Sequence, residues 1–400
     1  MALVKEGKFT TFILLNQNFM NARISRRDWF RSALVAGAGI PLSLSFANEL
    51  MAAPASEAER AFGVFKAGGK LIRLGSNENP YGPSAKAREA IKASVGDGNR
   101  YGFDQSDEIK KMIAEKEGVT VDHILLGAGS GETLALAGMG VGLEGGSVLS
   151  AWPTFTMLMN YAEKFNARWD KVNLDQYLVH DLDAMASAVK ADTKLVFVVN
   201  PNIPTGTIVD NNKLKNFCME VSKKAVIFSD EAYLEFLEPG QQASMVELVK
   251  QDYNVIVSRT FSKIYGLAGL RIGYAVAKPD LIKKLAKNQL GTIINQAALA
   301  AAKASLGDVE FMSYTRKMNA TARDFFTDYL TQKKWFHGKS MTNVVLFPAP
   351  KDGKMILEQT TQRGYQIRVW DYQGKEWCRV SIGTLDEMKS FVKVFDEVVA

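Results

Sequence analysis

Uninterrupted apolar runs, each followed by a turn and then a helix-forming stretch, recur through most of this chain. Ile124-Leu125-Leu126, Val148-Leu149-Ser150, Leu195 to Val199, Ala225 to Phe228 and Asn254 to Val257 have the length and residue types of strands, and Glu132 to Val141 has those of a helix. The runs do not alternate apolar with polar, which is the pattern of strands covered on both faces. From about residue 105 the rhythm therefore predicts the α/β class, with a mostly parallel sheet whose ligands sit beyond the strand ends. Upstream, Leu71 to Gly75 predicts a short strand leading into the turn-rich segment Ser76 to Ser84, with Ser84 capping the next helix. After Lys283 the chain turns helical to about Gln332, and a smaller α+β tail follows, with strands near 343–347, 366–370 and 377–382. There is no internal repeat and no low-complexity run.

Composition adds bounds. The 400 residues are 47% hydrophobic and 23% charged, enough for a large core and one or two domains. Net charge is +6, but residues 1–47 carry +4 of it, through Lys5, Lys8, Arg23, Arg26, Arg27 and Arg31 against Glu6 and Asp28. The rest of the chain is nearly balanced, so the basic character gives no support for a nucleic-acid partner. The two cysteines, Cys218 and Cys378, make no framework of bridges, although one disulfide remains open. The His, Cys and carboxylate positions show no metal-ligand spacing, so no metal site is expected.

The N-terminal end predicts a leader. Ser25-Arg26-Arg27-Asp28-Trp29-Phe30 precedes a short apolar run, Ala33 to Leu44, and then Ser45-Phe46-Ala47, a small-x-small cleavage pattern. The run is too short to span a membrane. Paired arginines followed by an aromatic are similar to a twin-arginine export signal; a basic tail ahead of an apolar helix is the alternative. Export through the twin-arginine machinery, cleavage near Ala47 and a periplasmic or otherwise exported location are the expectation. Met20 is the expected true start, because residues 1–19 add apolar sequence ahead of the arginines. Residues 48–66, rich in Ala and Glu, are expected to be helical or loose.

The chemistry-bearing residues fall at the predicted strand ends. Gly127-Ala128-Gly129-Ser130-Gly131-Glu132-Thr133 lies between a strand and a helix, where glycines admit an anion to free N–H groups. Trp152-Pro153-Thr154-Phe155 follows the next strand, Asn200-Pro201-Asn202-Ile203-Pro204-Thr205-Gly206 the one after, and Asp230-Glu231-Ala232-Tyr233 the one after that. Val257 to Tyr274 reads VSRTFSKIYGLAGLRIGY, with Thr260 and Ser262 ahead of Lys263 and Arg271 eight residues beyond it. A Schiff-base lysine beside phosphate ligands is what pyridoxal phosphate (PLP) chemistry requires.

Taken together, and in this order along the chain, the segments from about Leu71 to the C-terminus resemble the fold-type I PLP-dependent aminotransferases of class I/II, most nearly the histidinol-phosphate aminotransferase-like group. The resemblance implies a large domain with a mostly parallel sheet, 101–305, and a smaller α+β domain, 306–400, with 48–100 as an arm joined to the small domain and 1–47 as leader. It implies that Gly129, Ser130, Gly131, Thr260, Ser262 and Arg271 hold the PLP phosphate and that Phe155 stacks on the ring. Asp230 would keep the ring nitrogen protonated, Tyr233 would stand near the 3′-oxygen, and Lys263 would be the catalytic lysine. Ile203 departs from the family, which has asparagine there to bind the 3′-oxygen; Asn202 is the candidate substitute. Tyr101 matches a tyrosine that reaches the phosphate of the neighbouring subunit, which implies a homodimer. Arg379 matches the arginine for the substrate carboxylate, Arg368 a second arginine for its distal group, and Tyr81 a residue facing the substrate pocket.

The implied activity is amino transfer between an amino acid and a 2-oxo acid. A PLP lyase or decarboxylase on the same fold competes, because the bond aligned with the ring decides which group leaves. The PLP-binding regulators that share this fold carry a helix-turn-helix partner, and the sequence predicts no such domain, while an export signal contradicts DNA binding. A nucleotide-binding α/β protein would use the glycine loop but give Lys263, Asp230 and Arg379 no task.

Overall fold

The computed structural model describes residues 71–291 and 294–400. The twin-arginine segment, the cleavage pattern, Met20 and the 48–66 stretch lie outside the described residues. In chain order the elements used below are β1 (Ile72–Arg73), α1 (Ala85–Ser94), α2 (Phe103–Glu117), β2 (Ile124–Gly127), α3 (Ser130–Glu144), β3 (Ser147–Trp152), β4 (Arg168–Asn173), β5 (Thr193–Val199), β6 (Val226–Asp230), β7 (Val255–Thr260) and β8 (Gly273–Ala277). Then follow α4 (Gln296–Leu306), α5 (Val309–Gln332), β9 (Val344–Pro348), β10 (Tyr365–Gln366), β11 (Arg368–Tyr372), β12 (Lys375–Ser381) and α6 (Leu385–Val399). The expected cap is present: the Ser84 hydroxyl accepts from the Ala87 N–H at 3.1 Å.

Seven strands form the central sheet in the order β2-β8-β7-β6-β5-β3-β4. All neighbours are parallel except β8, which runs antiparallel to both β7 and β2. The apolar runs are continuous because each strand feeds two cores. Val196, Val198, Val255 and Val257 face one, while Leu195, Phe197, Val199 and Ile256 face the other. Two of these strands are not among those the sequence predicts. Edge strand β4 has the sequence RWDKVN and is polar, with Arg168 paired to Asp170 and Asp192, a common defence of a sheet edge. Strand β8 follows directly on the glycine-rich lysine segment and reads in sequence as its continuation.

A third core gathers Phe326, Phe347, Phe391 and Phe395 between the C-terminal part of α5, the antiparallel sheet β11-β12-β9, and α6. Here β1 pairs in parallel with β10, so the segment before Ser76 belongs to this C-terminal body. Helix α1 instead packs on α4. Cys218 and Cys378 are both free and buried, and they lie in different cores, so the open disulfide is not formed.

Candidate active site

Strand register brings the separate motifs to one edge of the sheet. Because β8 is antiparallel to both neighbours, β2 points the same way as β7. Gly127, ending β2, pairs with Gly273, which pairs with Thr260, ending β7. One strand over, Ser258 pairs with Asp230, which pairs with Val199. The loops after β2, β3, β5, β6 and β7 thus leave the same edge, as parallel sheets require of a ligand site. Gly273 is there for want of space: a Cβ would lie 2.5 Å from the Ser130 nitrogen.

The glycine loop makes an anion cradle. Helix α3 begins at Ser130 behind Gly129, whose φ of +79° favours glycine. The N–H groups of the first turn have no partner within the helix and carry its positive end. The Arg271 guanidinium closes the other side, donating to Ser262 Oγ (3.3 Å), Ala268 O (2.9 Å) and Ala128 O (3.4 Å). A Cβ on Gly129 would collide with that guanidinium. Thr260 Oγ1 accepts from the Ser262 N–H at 3.1 Å, so both hydroxyls stand at the same turn. A helix terminus, a guanidinium and two hydroxyls converging on a glycine-made gap suit a phosphate.

Next to it stands a buried acid. Asp230 is 3% exposed, and among the described residues its carboxylate accepts one hydrogen bond, from the Ala232 N–H at 3.2 Å. Burial pushes its pKa up to about 7; the Ala232 N–H and the Lys263 ammonium pull the other way, and Glu231 adds to the rise. A cationic ring nitrogen is the kind of partner this carboxylate lacks. Lys263 Nζ donates to the Asn77 carbonyl at 3.1 Å and stands 5.3 Å from the centre of the Tyr233 ring. The residues present therefore fit PLP at both its phosphate and its ring nitrogen.

The arginines complete the site from the C-terminal body. Arg379 is buried, donates to the Gly75 carbonyl and lies 5.8 Å from the centre of the Trp370 ring. Its Nε is buried without a partner among the described residues. Burial pushes its pKa down to about 10 and Arg368 adds to the fall, while Tyr233 opposes it. Arg368, directly across the strand pair, is exposed and donates to the same Gly75 carbonyl at 3.1 Å.

The remaining candidates divide. Phe155 lies on the loop after β3 and is 36% exposed, with no aromatic ring stacked on it among the described residues, which leaves its face open to a ligand ring. Tyr101 is 77% exposed, and its ring lies tilted at 5.9 Å from that of Phe103. Tyr81 meets the Tyr314 ring at 5.4 Å, and its hydroxyl is buried without a partner among the described residues. Burial pushes the Tyr81 pKa up to about 12.

Asn202 requires a correction. Its Nδ2 donates to Pro153 O (3.1 Å) and Thr205 Oγ1 (3.0 Å), and its Oδ1 accepts from Thr154 (2.8 Å). Both amide protons are committed to bracing two loops, so Asn202 does not replace the missing asparagine, and Ile203 is buried in the core.

Three groups have no counterpart among the residues that the sequence singles out. Asn77 joins Tyr233, Ser381 and Lys263, although in sequence it stands only as a turn residue. Trp370 faces Arg379. Arg259, buried four residues before Lys263, pairs with Glu231 (3.0 Å) and Glu235 (2.9 Å), tying β7 to the segment that follows Asp230. The Asp-Glu spacing in 230–235 is a signal for that last group, but nothing local marks the partner arginine.

Known proteins resemble this chain over most of its length. The family described as aminotransferase class I and II matches residues 69–395. Histidinol-phosphate aminotransferase 1 of Cupriavidus pinatubonensis is 37% identical over 347 residues, covering 86% of this chain and 92% of its own. Histidinol-phosphate aminotransferase 2 of Ralstonia nicotianae is 35% identical, covering 90% and 98%. Among solved structures, a putative histidinol-phosphate aminotransferase of Erwinia carotovora atroseptica superposes with a TM-score of 0.78 at 30% identity, covering 82% of this chain and 95% of the other. The Sinorhizobium meliloti histidinol-phosphate aminotransferase, in complex with pyridoxal-5′-phosphate, shares the fold with a TM-score of 0.76 at 24% identity, over 91% and 99%.

Proposed function

The chain belongs to the class I and II aminotransferases, and from that membership we propose how its residues divide the work and what it acts on. It is a PLP-dependent transaminase that moves an amino group between an amino acid and a 2-oxo acid, with Lys263 as the covalent anchor of the cofactor. Bound PLP supplies an electron sink for charge developing at the substrate Cα. The cradle of Gly129, Ser130, Gly131, Thr260, Ser262 and Arg271 holds the phosphate. Asp230 keeps the ring nitrogen protonated, which its burial makes favourable only beside a cation. Phe155 covers one ring face and excludes water from it. Lys263 Nζ, once free as an amine, carries the proton away from and back toward the substrate Cα.

The Arg368–Arg379 pair carries the substrate reading. Two guanidiniums directly opposite on antiparallel strands repel, and an anion between them relieves this. We read the donor as an amino acid whose α-carboxylate takes Arg379, with a distal polar or anionic group toward Arg368. The relatives' names point to a second reading, in which histidinol phosphate presents its phosphate to the same pair. Spectral titration of the PLP-loaded protein separates them. Conversion of the cofactor absorbance by amino acids, reversed by a 2-oxo acid, supports the first; conversion by histidinol phosphate alone overturns it.

Export and a homodimer complete the proposal. Arg26-Arg27, the apolar run and Ser45-Phe46-Ala47 all precede residue 69, where the family match begins, so the leader lies apart from the catalytic region. Retention of the folded enzyme in the cytoplasm on replacing both arginines by lysine is expected; unchanged export would sink the twin-arginine reading. The exposed Val95, Tyr101, Phe103 and Leu290 offer the apolar surface a partner subunit would cover.

A further inference from the structure

We propose that Asn77 is the positioning residue that couples the substrate-arginine strand to the cofactor lysine, in a site where Ile203 supplies no amide. The inference rests on the PLP reading above and concerns how this chain tunes the nitrogen that links Lys263 to the cofactor.

The starting point is a missing donor. Ile203 has an apolar side chain, 3% exposed, and the two amide protons of neighbouring Asn202 are spent on Pro153 O and Thr205 Oγ1. Of the side chains at positions 202, 203 and 233, Tyr233 alone has a proton left for the cofactor's ring oxygen. The direction of its hydrogen bonding decides what it does. Asn77 Nδ2 donates to the Tyr233 hydroxyl oxygen at 2.9 Å. The hydroxyl oxygen is thus an acceptor toward Asn77, which leaves its own proton for another acceptor. An acceptor already polarised by a donor is the stronger donor in turn.

Asn77 is held at both ends of its amide and at its backbone. Its Oδ1 accepts from Ser381 Oγ at 3.0 Å and its N–H donates to the same oxygen at 2.9 Å. In this arrangement the amide nitrogen faces Tyr233 and the amide oxygen faces Ser381. Ser381 lies on β12 two residues beyond Arg379, so the two side chains share a face of the strand. The Asn77 carbonyl accepts from Lys263 Nζ at 3.1 Å. The residue sits at φ +54°, a conformation that asparagine tolerates and most side chains do not. Two residues earlier, the Gly75 carbonyl accepts from both arginines. A single buried segment, 75–77, therefore touches the carboxylate arginine, the tyrosine and the lysine. A substrate anion that draws Arg379 away from Gly75 O acts on the segment that also holds Lys263.

The sign follows from electrostatics. The linking nitrogen, when protonated, is stabilised by the negative ring oxygen beside it. A donor to that oxygen drains its charge and lowers the pKa of the nitrogen; removing the donor raises it. Asn77→Gly keeps the backbone comfortable at positive φ and removes only the side-chain bonds. We expect its bound-cofactor absorbance to titrate about one pH unit higher than wild type, without substrate present. Ile203→Asn is expected to shift the titration the opposite way and to bring the Asn77→Gly variant back toward wild type. KM for the amino donor rises more than kcat falls if the link to the arginine strand is real.

Wild-type titration in Asn77→Gly at undiminished PLP occupancy overturns the proposal. If that variant does not fold, Ser381→Ala tests the same chain of bonds, with a smaller rise expected and no shift overturning it. A wild-type protein that binds no PLP would instead remove the reading on which the proposal stands, and the same titration shows it.

Discussion

Arg368 and Arg379 stand directly opposite each other across the β11–β12 pair, and both donate to the carbonyl oxygen of Gly75. Only Arg379 is buried, and burial with the Arg368 charge nearby holds its pKa down to about 10. The two arginines should therefore fail differently. Replacing Arg379 by Gln removes a desolvated charge from the substrate anion, and kcat/KM is expected to fall about a hundredfold or more. Arg368→Gln removes an exposed charge and is expected to cost about tenfold, a loss that shrinks as salt is added. Its thermal midpoint should not drop, because a cross-strand repulsion goes with it. Steady-state kinetics at two ionic strengths check both; equal losses would contradict the division.

The stability of the cofactor-free protein should fall with pH because of Asp230. Its pKa rises from the ordinary 3.8 of an aspartate to about 7 in the fold. A folded-state pKa above the unfolded one means that the folded state binds more protons between these values. The contribution is fully present below about pH 4 and lost as pH rises through 7, on the order of a few kcal/mol. Lys263 and the Ala232 N–H limit it, and Glu231, itself pushed up by burial, adds to it. A ring-nitrogen cation beside the carboxylate reverses the preference. The rise in melting temperature on adding PLP should therefore widen from pH 5 to pH 8, and Asp230→Asn should flatten that trend. A PLP effect independent of pH in wild type would refute the assignment.

Most sheet strands, and the loops at their ends, were legible because the same residues that bury strands on both faces also stop abruptly at the loops. Val226 to Phe228 predicted a strand, and Asp230 had to stand at its end. Edge strand β4 was not legible, since Arg168, Asp170 and Lys171 serve solubility at the sheet edge rather than the core. Asn77 was hidden for another reason. Its partners Tyr233, Lys263 and Ser381 lie 156, 186 and 304 residues away, and no local pattern records such contacts. Asn202 misled because sequence shows that an amide is present but not where its protons go.

Gly129→Ala tests the phosphate cradle apart from the chemistry. The added Cβ would meet the Arg271 guanidinium, and φ +79° disfavours any side chain. Arg271 must then move from the end of α3, and PLP affinity is expected to fall about tenfold to a hundredfold. Equilibrium dialysis of PLP against the variant reads this directly. The same fall should appear with inorganic phosphate as competitor, which becomes a poorer inhibitor of PLP binding. Loss of PLP binding with unchanged competition by phosphate would place the damage elsewhere.

Mixing a weakened and an inactive variant tests whether Tyr101 serves its own subunit or the neighbour. The tyrosine is 77% exposed, and within its own chain the ring contact is with Phe103. Tyr101→Ala is expected to weaken PLP binding, and Lys263→Ala to abolish activity. If sites are shared across a dimer, a subunit of each kind builds one complete site, with Lys263 from one chain and Tyr101 from the other. Unfolding the two variants together and refolding with PLP should then restore activity to about a quarter of wild type, because half of the dimers are mixed and each has one intact site of two. Activity no higher than that of the Tyr101→Ala protein alone would mean that the tyrosine acts within its own chain. The same mixture distinguishes a dimer that merely forms from one that the reaction requires.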